Sequence, residues 1–295
     1  MRLEDNDPTH PAAEPKPARW SPSALWPRVS KALPWIIIFC ALYIIGLWIP
    51  EGYDWRLNLS AGNPPPWWVP WSRPILLVLN PALIFALTIT SMAVRAHGRS
   101  RSIVPFVLAA VSLPTLWVLY LGDVGGLTVL GLLILPWGVP LVLLKPQVAA
   151  FALLAKRKWL IVASCWLVIS FLIWGLWPLR LLIVQSAEWK ATYPQDITLF
   201  PWGLILALPL LWLSRGDEDL LMAAGSLATP HLFPYHFIVL MPALSRMKLR
   251  WAVATWLVTW SPLLANWLGP AAWHLGNLAS ICFWLGIRFE AKRKS

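Results

Sequence analysis

The sequence predicts an all-α integral membrane protein, a polytopic helical bundle of about 8–10 transmembrane helices. Hydrophobic residues make up 58% of the 295 residues and charged residues only 13%, whereas a soluble domain carries about 25% charge. The apolar residues form long runs of the length that crosses a bilayer. The 23 tryptophans fit the same class, because indole rings concentrate at membrane interfaces.

Three regions follow from the composition along the chain. Residues 1–32 are rich in Pro, Ala and charge, so we expect a disordered cytoplasmic tail and no cleavable signal peptide. Residues 33–289 form a single transmembrane helical domain. Residues 290–295 form a short basic cytoplasmic tail.

The candidate spans are the apolar runs of the central region. Two of them, 219–230 and 233–245, are short for the ~20 residues of a spanning helix, and we expect either a re-entrant pair or tilted half-helices. Prolines within the runs predict kinked or broken helices. The ten spans are 33–50, 74–95, 103–121, 124–144, 159–178, 199–214, 219–230, 233–245, 251–267 and 270–287.

The distribution of positive charge predicts the orientation. With the N-terminus inside, 20 of the 24 Lys and Arg residues fall on the inner side of these spans, which is the positive-inside pattern. The net charge of +11 is thereby explained without a nucleic-acid partner. We expect a multi-pass cell-membrane protein whose N- and C-termini are both cytoplasmic.

The first outer loop, WIPEGYDWRLNLSAGNPPPWWVPW, carries the principal candidate for chemistry. Asp54 is placed to act as a general base on a sugar hydroxyl, and Trp67 and Trp68 offer flat faces for a sugar or an isoprenoid chain. The alternative interpretation is a solvated loop acid beside an interfacial aromatic belt.

The outer cations are candidates for binding a lipid phosphate, or are interfacial anchors; they are Arg56, Arg73, Arg180 and Lys190. Lys145 is predicted to be a cytoplasmic anchor at a helix break, on the wrong side for outward chemistry. His231 and His236 lie near the membrane boundary, but five residues apart and separated by Pro234 they make a poor metal pair.

Other signals are absent from the sequence. It contains no Walker A, GxGxxG, HExxH, GxSxG or CxxC motif, and its three cysteines lie in apolar runs without metal-ligand or disulfide spacing. We therefore predict no cofactor and assign no metal ligands; a divalent metal stays open, although no motif in the sequence supports one.

Three stretches, read in order, resemble glycosyltransferase family 87 of the GT-C superfamily, whose members depend on polyprenyl-phosphate mannose. They are SLPTLWVLYLGDVGGLTVLGLL, LLKPQVAAFALLAKRKW and LATPHLFPYHFIVLMPAL, and the similarity spans roughly residues 48–250. Asp123 stands where the family commonly has Gln, and His236 where it commonly has Asp. The first outer loop is shorter than is usual in the family.

The resemblance implies a GT-C-like membrane enzyme that transfers a sugar, typically mannose, on the extracytoplasmic side. Its partners would be a polyprenyl-phosphate-linked donor, a glycan or lipid acceptor, and the bilayer. Asp54 matches the family's catalytic acid position and would deprotonate the acceptor hydroxyl. The candidate substrate-binding residues are Arg56, Arg73, Trp67, Trp68, Asp123, His231 and Arg180.

Two rival functions remain open at the level of sequence. One is a non-catalytic membrane protein on the same scaffold that binds a lipid-linked glycan or a protein partner. The other is a transporter, which would need a polar path to the cytoplasmic side. An enzyme instead needs Asp54 to face an aromatic-lined cavity.

Overall fold

The computed structural model describes residues 22–60, 68–100, 102–180 and 186–294. All regular secondary structure in these ranges is helical, which confirms the all-α prediction. The α-helices are α1 (Pro22–Gly46), α2 (Tyr53–Ser60), α3 (Ser72–Val78), α4 (Pro81–His97), α5 (Val104–Ala110), α6 (Leu113–Leu121), α7 (Leu127–Leu133), α8 (Val139–Val142), α9 (Pro146–Ala149), α10 (Arg157–Trp174), α11 (Ala187–Thr192), α12 (Leu204–Leu213), α13 (Glu218–Gly225), α14 (Leu249–Thr259), α15 (Ala265–Leu268) and α16 (Asn277–Lys294). The 3-10 segments between them include Val124–Gly126, Ala150–Ala155, Ser226–Ala228, Pro234–Arg246, Ser261–Leu264 and Pro270–Gly276.

The helices that are both long and apolar are fewer than the sequence predicts. Among the described residues, α10 alone is long and apolar enough to cross a bilayer, and there are three such spans if two bent helix pairs each count as one. Large apolar side chains nevertheless stand exposed, for example Leu172 on α10 and Ile205 on α12. Such a surface indicates association with a membrane, while the predicted number of spans is not confirmed.

Both bent pairs break where proline begins a new helix, as the sequence predicts. Helices α3 and α4 meet at 106°, and α5 and α6 at 46°. At the first break Asn80 caps α4 by accepting a hydrogen bond from the Leu83 N–H at 2.8 Å. At the second, Ser112 caps α6 in the same way. A polar cap followed by proline supplies the backbone partners that the break removes.

The predicted span 124–144 is not a straight transmembrane helix. Its two flanking residues, Asp123 and Lys145, lie side by side, with Lys145 Nζ 2.9 Å from Asp123 Oδ2, whereas a continuous helix of that length would separate them by about 30 Å. Helices α7 and α8 instead fold back on each other as a hairpin. Gly131 and Gly138 allow this contact, because a Cβ on Gly138 would overlap the Gly131 carbonyl oxygen.

The molecule has two polar ends joined by an apolar core. We call them the Asp54 end, which holds Asp54, Asp123 and Asp196, and the basic end, which holds Arg95 and Arg246. The 3-10 segment Pro234–Arg246 runs between the two ends, and its residues 234–245 are all buried. This segment and α13 occupy the short predicted spans 233–245 and 219–230, and they form the centre of the core.

The basic end is closed by a network of buried ion pairs. Asp219 is fully buried, and Arg246 Nη1 donates to its Oδ2 at 2.7 Å. The same end collects Lys248 and Glu290, which lie 3.9 Å apart. The members of the network are Arg95, Arg99, Asp217, Glu218, Asp219 and Arg246.

Candidate functional site

Asp54 lies in the first turn of α2, and two glycines bring it against the end of α6. The Gly52 backbone touches the Leu121–Gly122 backbone so closely that any Cβ on Gly52 would overlap it. Gly122 ends α6 in the left-handed conformation, at φ 66°, where glycine is favoured. The chain then turns so that Asp123 follows directly and faces the start of α2.

Asp123 is fully buried and connects three parts of the site. One carboxylate oxygen accepts from the Gly125 N–H and so begins the following 3-10 turn. The other is paired with Lys145 Nζ at 2.9 Å. The carboxyl of Asp54 also hydrogen-bonds to it. Two adjacent carboxyls resist being ionised together, so the pKa of one of them is raised.

Lys145 is held in a cage as well as in an ion pair. Its Nζ lies 4.8 Å from the ring centre of Trp68 and 5.4 Å from that of Tyr235, within the range of cation–π attraction. The prediction that Lys145 lies at the opposite end from Asp54 is wrong, because the α7–α8 hairpin returns the chain to the same end.

The surroundings of Asp54 favour its neutral form. Burial, then the negative charge of Asp123 and the hydrogen bond to it, raise the pKa of Asp54 to about 8, although the charge of Lys145 opposes this. At neutral pH the Asp54 carboxyl is therefore mostly protonated and donates its hydrogen to Asp123.

A cavity of about 240 Å³ opens beside Asp54. One water molecule takes up about 30 Å³ of liquid volume, so the cavity has the volume of roughly eight waters. That is enough space for one sugar ring. Its walls are mainly aromatic. The lining residues are Tyr53, Asp54, Leu57, Trp68, Trp117, Leu121, Trp189, Tyr193, Gln195, Phe233 and Tyr235.

The far wall of this cavity is fixed by Asp196. Its carboxylate accepts hydrogen bonds from Trp189 Nε1 at 3.0 Å and from the Leu232 N–H at 2.9 Å, and lies 2.7 Å from His231 Nδ1. Although burial opposes it, the bonds from His231, Leu232 and Trp189 lower the pKa of Asp196. Asp196 therefore ties α11 to the start of the buried 3-10 segment.

The rings of the two histidines near this wall lie 5.6 Å apart, centre to centre, and each ring has its own hydrogen-bond partner. His231 Nδ1 faces Asp196, while His236 Nδ1 accepts from the Phe233 N–H at 3.1 Å, which places the ring proton of neutral His236 on Nε2. Across the described ranges, no three His, Cys, Asp or Glu side chains are grouped to hold a metal ion.

The structure brings together some of the residues predicted from sequence and not others. Asp54 and Trp68 line the cavity, and Asp123 and His231 lie directly behind its walls. Arg56 and Arg180 are exposed, Arg73 is half-buried, and none of the three lines the cavity. Trp67 lies outside the described residues.

Several contributors were missed at the level of sequence. Lys145 carried a signal, since it is a lone lysine at the end of an apolar run, where ionisable residues are functional candidates. Trp117 and Tyr235 carried none, because aromatic residues occur along nearly the whole chain. Asp196 was not among the candidate residues.

No protein-family model, no curated protein and no solved structure matches this chain.

Proposed function

We propose that this protein is a GT-C-type membrane glycosyltransferase with Asp54 as its general base. It would transfer a sugar, in keeping with its resemblance to family 87 a mannose, from a polyprenyl-phosphate donor to a glycan or lipid acceptor. The observation that carries the proposal is that Asp54 lines an aromatic cavity of sugar size and is held there by Asp123. An ordinary loop acid would require neither the cavity nor the buried partner.

The proposed reaction is a single displacement. The sugar ring packs against the faces of Trp68 and Trp117, and Asp54 in its ionised form accepts the proton of the acceptor hydroxyl. The acceptor oxygen attacks the anomeric carbon, the bond from that carbon to the phosphate oxygen breaks, and polyprenyl phosphate departs. The configuration at the anomeric carbon is therefore inverted.

The roles of the remaining residues follow from charge. Lys145 compensates Asp123 and thereby makes ionisation of Asp54 less costly. The leaving phosphate needs a cation at the mouth of the cavity, and the candidates remain Arg56, Arg73 and Arg180. No cofactor is part of the proposal.

We propose a polytopic topology of about eight to ten membrane-crossing segments, with the Asp54 end extracytoplasmic and both termini cytoplasmic. Once Lys145 is assigned to the Asp54 end, 19 of the 24 Lys and Arg residues remain on the other side by sequence position. That imbalance still supports the orientation. Several crossings are broken helices or 3-10 segments, and the 3-10 segment Pro234–Arg246 would be tolerated because protein surrounds it.

The rival function on the same scaffold is binding of a lipid-linked glycan without catalysis. It is favoured by the protonated state of Asp54 at neutral pH, since a neutral carboxyl hydrogen-bonds sugar hydroxyls without removing their protons. A transporter has less support, because residues 237–244 between the two ends carry only apolar side chains.

Transfer of radiolabelled mannose tests the proposal. The purified protein in detergent is incubated with polyprenyl-phosphate mannose and a panel of glycan acceptors, beside Asp54→Asn and the matched control Glu51→Gln. Glu51 is an exposed carboxylate of the same loop that does not line the cavity. We expect transfer to fall by about 10²–10⁴-fold in Asp54→Asn alone.

The other outcomes are equally informative. Saturable donor binding without transfer by the wild type would replace the enzyme with the binding protein. The absence of both transfer and donor binding would refute the proposed function.

A further inference from the structure

A second cavity, of about 280 Å³, lies at the basic end, on the opposite side of the core from Asp54. It faces the first turn of α10, the one uninterrupted helix of membrane-spanning length and composition in the described ranges. Lys156 is the N-cap residue of α10 and makes no side-chain capping bond. The first N–H groups of a helix lack intrahelical partners and carry the positive end of the helix dipole.

The walls of this cavity supply hydrogen-bond donors. Trp159, in the first turn of α10, lines the cavity and is only 6% exposed, yet its indole Nε1–H is buried without an acceptor. Lys156 Nζ stands 4.6 Å from the centre of the same ring. Arg246 lines the opposite wall. Trp166 and Trp260 also have a buried indole N–H without an acceptor, but of these three tryptophans only Trp159 lines this cavity, where a bound ligand can supply the acceptor that a buried indole N–H usually has.

The carboxylates of the same cavity are already engaged by arginines. Asp217 is paired with Arg246, and Glu218 Oε1 accepts from Arg95 at 2.6 Å and from Arg99 at 2.8 Å. Even so, Arg95 Nε and Arg99 Nη1 remain buried without an acceptor. No buried oxygen of Asp217, Glu218 or Asp219 lacks a hydrogen-bond partner. The unmet hydrogen bonds of this region are therefore all donors, which suits a ligand that accepts hydrogen bonds.

We propose that this cavity binds a phosphate group, with Lys156, Trp159 and Arg246 as its donors and the first turn of α10 as its floor. Phosphate is an anion made of acceptor oxygens, and both helix N-termini and Lys or Arg side chains bind it. At a membrane surface the natural source is the head group of an anionic phospholipid, and free inorganic phosphate has the same chemistry. The site is remote from Asp54 and does not depend on glycosyl transfer.

Lipid retention by the full chain tests the proposal. The purified protein in detergent is titrated with phosphatidylglycerol, with diacylglycerol of the same acyl chains, which lacks the phosphate, or with inorganic phosphate, and the bound molecules are counted by native mass spectrometry. We expect one phosphatidylglycerol to be retained at a concentration at least about tenfold lower than diacylglycerol, since a charged hydrogen bond to the phosphate is worth that factor or more.

Two variants and one control locate the site. Lys156→Gln should weaken phosphatidylglycerol binding about tenfold, and Trp159→Phe should weaken it severalfold without changing any charge. Lys158→Gln removes an exposed lysine two residues away that does not line the cavity, and should have little effect. Gel filtration and helical circular dichroism confirm that each variant is folded.

The outcomes separate the sources and can overturn the site. If inorganic phosphate displaces phosphatidylglycerol and binds alone with the same dependence on Trp159, free phosphate is the ligand and the site stands. Equal retention of both lipids would refute the proposal. So would equal losses for Lys156→Gln and Lys158→Gln with none for Trp159→Phe, because that pattern reflects only diffuse surface charge.

Discussion

Replacing Asp54 by asparagine should make the folded protein more stable while removing its proposed activity. The folded structure raises the pKa of Asp54 from an ordinary value of 3.8 to about 8, so at pH 7 this carboxyl is ionised in the unfolded chain and mostly protonated in the folded chain. Each pKa unit corresponds to about 1.4 kcal/mol. The gap between 3.8 and pH 7, reduced for partial exposure to water, corresponds to about 2–4 kcal/mol of unfolding free energy.

The difference in unfolding free energy between Asp54→Asn and the wild type should depend on pH. Because the folded pKa is the higher one, the proton on Asp54 stabilises the fold fully below about pH 4, and this contribution is lost as the pH rises through 8. An asparagine side chain has no such dependence. The stability advantage of Asp54→Asn should therefore grow by up to about 1.4 kcal/mol per pH unit between pH 4 and 8.

Equilibrium unfolding in detergent, measured at pH 5, 6, 7 and 8 on wild type and variant, provides the assay. A difference in unfolding free energy that stays constant over this range would refute the reasoning, because it would mean that Asp54 has an ordinary pKa. A variant that is less stable at every pH would show that the ionised Asp54 side chain makes stabilising contacts in the folded protein instead of being disfavoured there.

Three further predictions concern residues around the site. Asp123→Asn removes a negative charge that raises the pKa of Asp54, so activity should rise at lower pH than in the wild type. Lys145→Gln removes a positive charge that lowers this pKa, so activity should rise at higher pH. The pH–rate profiles of sugar transfer measure both shifts. Asp196→Asn should lower the unfolding free energy by about 2–4 kcal/mol at pH 7, since the Asp196 carboxylate makes several hydrogen bonds. The pKa of Asp196 is lowered in the folded state, so this loss of stability should shrink only as the pH falls below the ordinary value of 3.8. Gly138→Ala should lower the melting temperature in detergent, at a cost of about 1–3 kcal/mol or more, since the new methyl group would overlap Gly131.

Controls make these three predictions decisive. Gly98→Ala adds a methyl group at 3.4 Å from the nearest backbone oxygen and should be tolerated, so equal effects of Gly98→Ala and Gly138→Ala would contradict the close packing of the hairpin. Shifts of the pH profile in the same direction for Asp123→Asn and Lys145→Gln would contradict the charge pairing. An Asp196→Asn protein of wild-type stability would contradict the anchoring role of Asp196.

The sequence predicted the class of the fold because class depends on local properties. Apolar runs, the low charge content and prolines such as Pro81 and Pro114 are readable residue by residue, and they gave an all-helical chain with broken helices. Asp54 could be singled out in the same way, because a carboxylate beside a tryptophan cluster contrasts with its surroundings.

The arrangement of the site could not be predicted because it depends on long-range contacts. A hydropathy profile of 124–144 is the same for a straight helix and for a hairpin, and only the contact between Gly131 and Gly138 separates the two. That contact decides whether Lys145 lies beside Asp123 or at the other end. The ion pairs of Arg95 and Glu218 likewise join residues more than a hundred positions apart.

The 3-10 geometry of Pro234–Arg246 changes how much chain is needed to connect the two ends of the molecule. A 3-10 helix rises about 2.0 Å per residue against 1.5 Å in an α-helix, so its 13 residues reach about 26 Å, a length that would take about 17 residues in α-helical form. The segment is thus a stretched strut, and it reaches from Tyr235 at the cavity wall to Arg246 in the ion-pair network. A length calculated from the α-helical rise is too short by about a quarter for this segment. For this reason the sequence predicted that residues 233–245 are too short to span from one end to the other.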